Sequence, residues 1–306
     1  MSLIPNSSSP VAPDEMLFVD HRTVDWKQVR RTHYWMYQRF RYEYPGPVRE
    51  LRQRLMVIPA SQHGDQQLRG YQFAVSAPAS SLHYEADSFG NRVFRCTVPQ
   101  VSNTVDFEVW SNIERETQPG TMPKIAGTEA LRYLETTRLT TPDERLTTAA
   151  HELRDQSREP QELASLINDW TFGAMRYASG VTNVGTSAAQ ALALGAGLCQ
   201  DYAHIMLTLC RTAGLPARYV SGHLLGEGGS HAWVEVLLPV EEKDSDKRVA
   251  WAFDPTNHCR AGLGYITVAV GRDYQDVSPT SGSYIAPYQG RLVASKRVGL
   301  TAVEYV

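Results

Sequence analysis

Hydrophobic and polar residues alternate with a period of two over the first third of the chain, between about residues 30 and 112. Side chains of a strand point alternately to its two faces, so this period, with one polar face, predicts antiparallel strands that pack on one side. A run of such strands predicts a β-sandwich-like domain or an open barrel. The apolar positions that carry the pattern are Phe40, Tyr42, Tyr44, Tyr71, Phe73, Val75, Phe94, Cys96, Val98, Val105, Phe107 and Val109.

The pattern changes after the turn-rich stretch TQPGTMPKIA, which predicts a linker over Thr117 to Ala126. Apolar residues then recur at steps of three and four through ELASLINDW, which predicts a helix that starts at Ser157. A second helix is predicted from Thr141 to Asp155, and a loop from Ala178 to Thr186.

A further helix is predicted to begin at the first cysteine of GAGLCQDYAHIMLTLC and to end at Gly214, because Pro216 prevents it from continuing. Three strand-like segments follow, Ala217–Leu225, His231–Leu238 and Arg248–Phe253. The charged run EEKDSDKR predicts a solvated hairpin loop before the last of them. The chain is therefore predicted to be an α+β protein.

These elements divide the chain into three predicted parts. Residues 1–29 are expected to be a disordered tail, since they lack an apolar signal core and are rich in polar and turn-forming residues. Residues 30–115 form the predicted β-rich N-terminal domain. Residues 127–306 form the predicted catalytic domain, in which helices pack on an antiparallel sheet.

Composition excludes several function classes. The 306-residue chain is 42% hydrophobic and 21% charged, with a formal net charge of -3, which gives no reason to expect nucleic acid or an anionic membrane surface as a partner. No apolar run approaches the roughly 20 residues of a membrane helix. Its four cysteines lack C-x-x-C spacing, which argues against a disulfide scaffold or a zinc site and favours a cytoplasmic setting. No metal or other cofactor is predicted.

Cys199 stands where two glycines, Gly195 and Gly197, give way to a helix. The first N–H groups of a helix have no intrahelical acceptor, and the helix dipole is positive there. This position favours the thiolate, which is the reactive form of cysteine. Helical spacing places Cys199 on the packed face with Met206. His204 lies about 140° away around the helix axis and is not expected to act as its base.

A histidine and an aspartate complete a nucleophile, base and acceptor set. His231 opens a strand after the glycine-rich sequence GEGGS, and Asp254 ends the strand VAWAFD. A cysteine nucleophile needs a base, which histidine provides near neutral pH, and the base needs an acceptor that fixes its tautomer. Cys199, His231 and Asp254 are therefore the predicted catalytic residues.

Each of the three also has a purely structural interpretation. Cysteine is among the most buried residue types, a histidine can end a strand at the surface, and aspartate before proline is a common turn former. The combination, with glycine-rich approaches at two of the three, favours the catalytic interpretation. A packing, hydrogen-bonding or helix-start role is predicted for Cys96, Cys210, His204, His223, His258 and Asp201.

The stretch GAGLCQDYAHIMLTLCRTAGLPARYVSGHLLGEGGSHAWVEV, followed by WAFDPTN, resembles the core of the bacterial transglutaminase-like proteins. The resemblance implies that Cys199, His231 and Asp254 occupy the triad positions of that superfamily, in a papain-like core whose thiol helix packs against an antiparallel sheet. VAVGRDYQDVSPTSGSY is similar to the family's C-terminal signature, and the β-rich first third, including DSFGNRV, to its N-terminal domain. Nearly all of the chain from about residue 30 is covered.

The sequence departs from the animal crosslinking members of that superfamily. Gln200 follows Cys199 where those enzymes have a tryptophan, Trp170 is predicted on the core face of a helix, and the calcium-binding insertions have no counterpart. These departures argue against protein crosslinking and leave thiol acyl chemistry as the expectation.

The expected function is hydrolysis of peptide or amide bonds in a protein or peptide substrate, through a cysteine thioester. The Cys199 N–H is expected to donate to the oxyanion, and Tyr177 and Asn183 are candidates for a second donor. Three alternatives stay open: amine transfer by a transglutaminase, a non-catalytic binding module of the same fold, and a metal site built from the same three side chains. The sequence predicts no oligomeric state.

Overall fold

The computed structural model describes residues 17–117, 122–226, 229–240 and 246–306. The chain divides into two compact units. The first unit comprises Met1–Pro119, His223–Gly229 and Ser278–Val306, and the second comprises Gly120–Gly222 and Ser230–Val277. Among the described residues, no helix is long and apolar enough to cross a membrane. Helices and antiparallel sheets are both present, so the predicted α+β class is confirmed.

The elements of the described residues follow one another in this order. The first unit begins with β1 (Val29–Glu43), β2 (Val48–Leu55), β3 (Gln62–His63), β4 (Gln66–Val75), β5 (Ser81–Ala86), β6 (Arg92–Val101) and β7 (Thr104–Glu116). Next come β8 (Lys124–Ala126), α1 (Gly127–Ala130), α2 (Glu144–Gln156), α3 (Pro160–Ala174), β9 (Arg176–Tyr177), α4 (Ala188–Leu194), β10 (Ala196–Gly197) and α5 (Cys199–Thr212). The last are β11 (Ala217–Leu224), β12 (His231–Pro239), β13 (Lys247–Asp254), β14 (Cys259–Arg260), β15 (Tyr265–Gly271), α6 (Tyr274–Val277), β16 (Thr280–Ile285) and β17 (Arg291–Tyr305).

The first unit is a sandwich of two antiparallel sheets. One sheet has the strand order β17-β1-β7-β4-β3, and the other has the order β16-β2-β6-β5. Alternate side chains of both sheets meet in one apolar core, as the period of two predicts. The core includes Phe40, Leu51, Leu55, Phe94, Cys96, Val98, Val105, Phe107 and Val109.

The division of the chain differs from the sequence prediction at both ends. β17 pairs antiparallel with β1 along its length, and β16 pairs with β2, so residues 278–306 complete the first unit instead of ending the catalytic domain. These partners lie more than 200 residues apart in the sequence, and a local pattern carries no information about them. Within the predicted tail, residues 1–16 lie outside the described residues, whereas Val19 bridges Leu300 and His21–Thr23 form a 3₁₀ turn.

Two predicted connecting segments are shorter than expected. Residues 118–121 of the predicted linker and 241–245 of the predicted hairpin loop lie outside the described residues. The remainder of each includes strand, because β8 pairs with β13 over Lys247, Arg248 and Val249. A three-residue strand is too short to show an alternation in the sequence, so this pairing was not predictable from the pattern.

The second unit is built around α5. Its sheet has the order β14-β13-β12-β11-β15, and α5 packs against β12 on one side and against α2, α3 and α4 on the others. Residues Asp201 to Arg211 are consequently all buried, so the helix is covered all round and not on one face only. The helix begins and ends where the sequence predicts. α4 was not predicted, although its N-cap Ser187 and Gln190 form a capping box, which is a sequence signal.

Candidate active site

The start of α5 is held in place by a tight local arrangement. α4 ends at Gly195, whose φ of 64° is in the left-handed region that favours glycine, and β10 then pairs in parallel with β9. Gly197 leads into the helix, and a Cβ at this position would lie 2.4 Å from an oxygen of Asp201. Only glycine fits there, so the chain reaches Cys199 by a fixed path.

Asp201 supports this arrangement as the structural residue that the sequence predicts. Its buried Oδ2 accepts hydrogen bonds from the Leu198 N–H at 2.7 Å and from the Thr182 hydroxyl at 2.6 Å. The first bond caps the helix start, and the second ties the preceding loop to it. Burial raises the pKa of the Asp201 carboxyl, and these hydrogen bonds oppose the rise.

The three predicted catalytic residues come together in the second unit. Cys199 is the first residue of α5, His231 the first of β12 and Asp254 the last of β13. His231 Nε2 lies 2.7 Å from Asp254 Oδ2, and the imidazole is also hydrogen-bonded to the Cys199 thiol. Since Nε2 is bonded to Asp254, Nδ1 is the ring nitrogen that remains available to the thiol.

Burial differs sharply among the three. Asp254 is fully buried and His231 is 4% exposed, whereas Cys199 is only half-buried. The thiol is thus reachable from solvent, while the groups that orient it are shielded from water. Electrostatic interactions are stronger in such a shielded environment than in bulk solvent.

The Asp254 carboxylate is saturated with donors. Besides His231, Oδ2 accepts from the Tyr265 hydroxyl and from the Asn257 side-chain amide, each at 2.8 Å. Oδ1 accepts the backbone N–H groups of Thr256 at 2.9 Å and of Asn257 at 3.2 Å. This carboxylate can therefore stay ionised although no solvent reaches it.

The pKa values of the pair follow from these contacts. Burial lowers the pKa of the His231 imidazole, but its hydrogen bonds to the Asp254 carboxylate and with the Cys199 side chain outweigh this effect and raise the pKa to about 10. Burial raises the pKa of the Asp254 carboxyl, and the bonds from His231, Tyr265 and Asn257 more than offset it, so that the pKa is lowered overall. An imidazolium paired with a carboxylate is the form that the site stabilises.

The two candidates for a second oxyanion donor flank the start of α5. Tyr177 is the β9 partner of Gly197, and its side chain is 60% exposed. Asn183 lies in the loop before α4, where its side-chain oxygen accepts the Gly185 N–H at 2.8 Å. The second donor therefore stays a prediction.

The other residues that the sequence singled out have structural surroundings. Cys96, Cys210 and His204 are buried in the interior, and burial lowers the pKa of His204 to about 3. His223 Nδ1 lies 3.3 Å from the Gly229 carbonyl oxygen. His258 stacks on Phe172 and bonds Asp169 at 2.8 Å. Trp170 is half-buried at the rim of a surface groove, whereas the sequence predicted it in the core.

Three residues that surround the predicted catalytic residues were not among the site residues predicted from the sequence. Asn257 was signalled by its position in DPTN, since an aspartate that caps the next backbone N–H groups forms a common turn. Tyr265 was not singled out, although it opens the alternating strand YITVAV. Trp233, two residues beyond His231 on the same strand face, is buried with its ring 6.2 Å from the imidazole.

No group of three or more His, Cys, Asp or Glu side chains is placed to hold a metal ion in the parts of the chain that the structure describes. The metal alternative requires Cys199, His231 and Asp254 to point at one common atom. In the structure His231 instead lies between the other two, hydrogen-bonded to each. This series of hydrogen bonds suits proton transfer to and from a thiol.

Two family descriptions match parts of this chain. Residues 147–254 match the transglutaminase-like superfamily, and residues 34–114 match the bacterial transglutaminase-like N-terminal region. The chain belongs to the transglutaminase-like superfamily. The resemblance noted in the sequence is thereby confirmed for the core and for the N-terminal domain of this transglutaminase-like protein.

Relatives of this transglutaminase-like chain include uncharacterized mycobacterial proteins. One from Mycobacterium leprae is 37% identical over 139 residues, 42% of this chain and 47% of the relative. One from Mycobacterium tuberculosis is 36% identical over 135 residues, 40% of each. The matched segment therefore spans less than half the length of these curated relatives.

The fold has a solved counterpart over most of its length. A candidate cysteine protease from Cytophaga hutchinsonii superposes with a TM-score of 0.74 and 18% identity, covering 91% of this chain and 94% of that one. At this identity the likeness concerns the fold. The family match, and not this likeness, supports a thiol enzyme of the transglutaminase-like superfamily.

Limited alkylation with iodoacetamide should label Cys199 first. Its thiol is half-buried and bonded to an imidazole, whereas burial raises the pKa of Cys96 to about 11 and that of Cys210 to about 12. Cys259 is exposed and is therefore the thiol that can compete with Cys199 for the reagent. Peptide mapping at partial labelling gives the order of reaction, and earlier labelling of Cys210 or Cys96 would contradict this account of the site.

Proposed function

We propose that this protein is a thiol-dependent hydrolase of peptide or amide bonds in a protein or peptide substrate. The observation that carries the proposal is the hydrogen-bonded series from the Cys199 thiol through His231 to Asp254 at the start of a buried helix. Nucleophilic catalysis by cysteine requires a neighbouring base and a group that orients that base. A non-catalytic module of this fold has no need for all three.

In the acylation step, the Cys199 sulfur attacks the amide carbonyl carbon and forms a C–S bond. His231 has taken the thiol proton and returns it to the leaving nitrogen as the C–N bond breaks. The backbone N–H of Cys199, at the start of α5, donates to the oxyanion. The products of the step are a thioester and a free amine.

In the deacylation step, an acceptor attacks the thioester carbonyl while His231 removes its proton, and the thiolate leaves. Water as acceptor gives a carboxylate, and a primary amine gives a new amide. Access to the thiol supports water: Tyr177 and Val184, beside the helix start, are each 60% exposed. Trp233, whose ring lies 6.2 Å from the imidazole, is buried and presents no exposed aromatic surface to an incoming amine.

Partition of the thioester tests the choice between water and amine. The enzyme is incubated with an acyl donor identified from a peptide library, with and without millimolar primary amine, and mass spectrometry counts carboxylate against amide product. We expect carboxylate to dominate, because water at about 55 M needs no binding site whereas an amine must bind to compete. The matched control is the same mixture with Cys199→Ala protein, which reports the uncatalysed background.

A predominance of amide product at millimolar amine would overturn hydrolysis and favour a transglutaminase. Failure of any library peptide to be turned over, while an amine-dependent crosslink forms, would do the same. Absence of both products together with retained peptide binding would favour the non-catalytic module.

A further inference from the structure

Of the three residues that surround the predicted catalytic residues, only Tyr265 comes from a strand that carries none of them. It opens β15, and its ring packs edge-on against Trp233 with the centroids 5.3 Å apart and lies 6.0 Å from the His231 ring. Its hydroxyl, itself buried, donates to Asp254 Oδ2 at 2.8 Å. The ring thus fills space beside the imidazole while the hydroxyl reaches the carboxylate.

The oxygen that Tyr265 contacts is the one that holds the histidine. Asp254 Oδ2 receives His231 Nε2 at 2.7 Å and the Asn257 amide at 2.8 Å as well. Asn257 is attached to the same turn as Asp254 and moves with it. Tyr265 is anchored in the sheet, so it fixes the carboxylate relative to the strands and not only relative to its own turn.

The ionisable groups that face this cluster come from four elements. Cys199 reaches the imidazole from α5, Asp254 from β13 and Tyr265 from β15, while the exposed Cys259 of β14 places its sulfur 3.3 Å from the Tyr265 oxygen. The Cys259 thiol can donate to that oxygen. The tyrosine hydroxyl hydrogen then stays directed at Asp254.

A donor on a carboxylate reduces the negative charge that the carboxylate presents to its other partners. Tyr265 therefore makes Asp254 a weaker acceptor towards His231. Burial raises the pKa of the Tyr265 hydroxyl well above its ordinary value, so it remains a neutral donor at all working pH values. Without it, the imidazolium would be held more tightly and would give up its proton less readily.

We propose that Tyr265 is a positioning residue that orients Asp254 and weakens the hydrogen bond by which Asp254 holds the His231 proton. The inference rests on the proposed thiol chemistry, since it assigns Tyr265 to the proton path of that reaction. In this role Tyr265 acts on the proton path through its hydrogen bond to Asp254.

The test is Tyr265→Phe, which keeps the ring against Trp233 and removes only the hydroxyl. We expect kcat to fall about tenfold, the worth of one hydrogen bond to a charged group, with little change in KM. We expect the alkaline limb of kcat/KM to move to higher pH, because His231 then retains its proton longer. Tyr133→Phe is the matched control, because Tyr133 is also buried and is hydrogen-bonded to a charged side chain, which is Arg218 and not Asp254. The Tyr133→Phe substitution should leave the alkaline limb of kcat/KM where it is in the wild type.

An activity-free measurement separates this inference from the proposed function. The pKa of His231 is followed by nitrogen NMR of histidine-labelled protein, with His231→Gln identifying the signal. A higher value in Tyr265→Phe than in the wild type supports the role even if no substrate is found. A His231 pKa that is unchanged or lower in Tyr265→Phe overturns the inference. If the wild type is active, an alkaline limb of kcat/KM that does not move in Tyr265→Phe also overturns it.

Discussion

Cys199→Ala should lower kcat on any confirmed acyl donor by about 10⁴-fold or more, while the protein stays folded. The sulfur is the atom that forms the thioester, and the oxyanion donor and substrate contacts that remain cannot replace it. The side chain is half-buried at the first position of α5, and alanine has good helix propensity, so the substitution leaves the helix intact. Steady-state kinetics and the thermal unfolding midpoint are the two measurements.

Cys210→Ala is the matched control for this variant. It makes the same substitution in the same helix, at a thiol that is fully buried and has no place in the chemistry. Its unfolding midpoint should fall, because a buried sulfur is lost from a packed core. At temperatures well below that midpoint, its kcat should equal that of the wild type. A Cys199→Ala protein that retains near wild-type turnover would show that another group is the nucleophile.

Asp254→Asn should cost roughly 10²- to 10⁴-fold in kcat and also destabilise the fold. Five donors converge on the two carboxylate oxygens, so the amide NH₂ of asparagine must face at least two of them wherever it points. At a fully buried site, leaving such donors unsatisfied costs about 2–4 kcal/mol of unfolding free energy. Chemical denaturation measures this second effect.

The same variant has a defined effect on pH dependence. Asp254 raises the pKa of His231, and activity that needs the imidazolium is lost as pH rises through that pKa. Removing the carboxylate charge lowers the pKa, so the alkaline limb of kcat/KM should move to lower pH, opposite to the shift expected for Tyr265→Phe. A limb that stays in place in Asp254→Asn would mean that His231 does not control it.

The three central residues could be predicted because each stands at a boundary that the sequence marks. Two glycines precede Cys199, a glycine-rich stretch precedes His231, and Pro255 follows Asp254. The helix end at Gly214 and the three strands after it follow from equally local signals. The alternation in the first third likewise predicts the sandwich, because one buried face requires a period of two.

The parts that escaped prediction depend on contacts across long sequence distances. Strands β16 and β17 belong to the first unit only through pairing with β2 and β1. Thr182 supports the helix start from a loop 19 residues away, through one hydrogen bond to Asp201. Tyr265 reaches Asp254 from another strand, and no periodicity in the sequence records that the two side chains meet.

Trapping of an acyl-enzyme tests the central claim most directly. The protein is exposed briefly to p-nitrophenyl acetate, which acylates activated thiolates, and is then quenched in acid and mapped by mass spectrometry. The account predicts one acetyl group on the peptide that contains Cys199, released by hydroxylamine and absent from His231→Gln at the same time point. Acetylation mainly at Cys259, or equal labelling of Cys199 in His231→Gln, would contradict the claim that His231 activates Cys199 as the nucleophile.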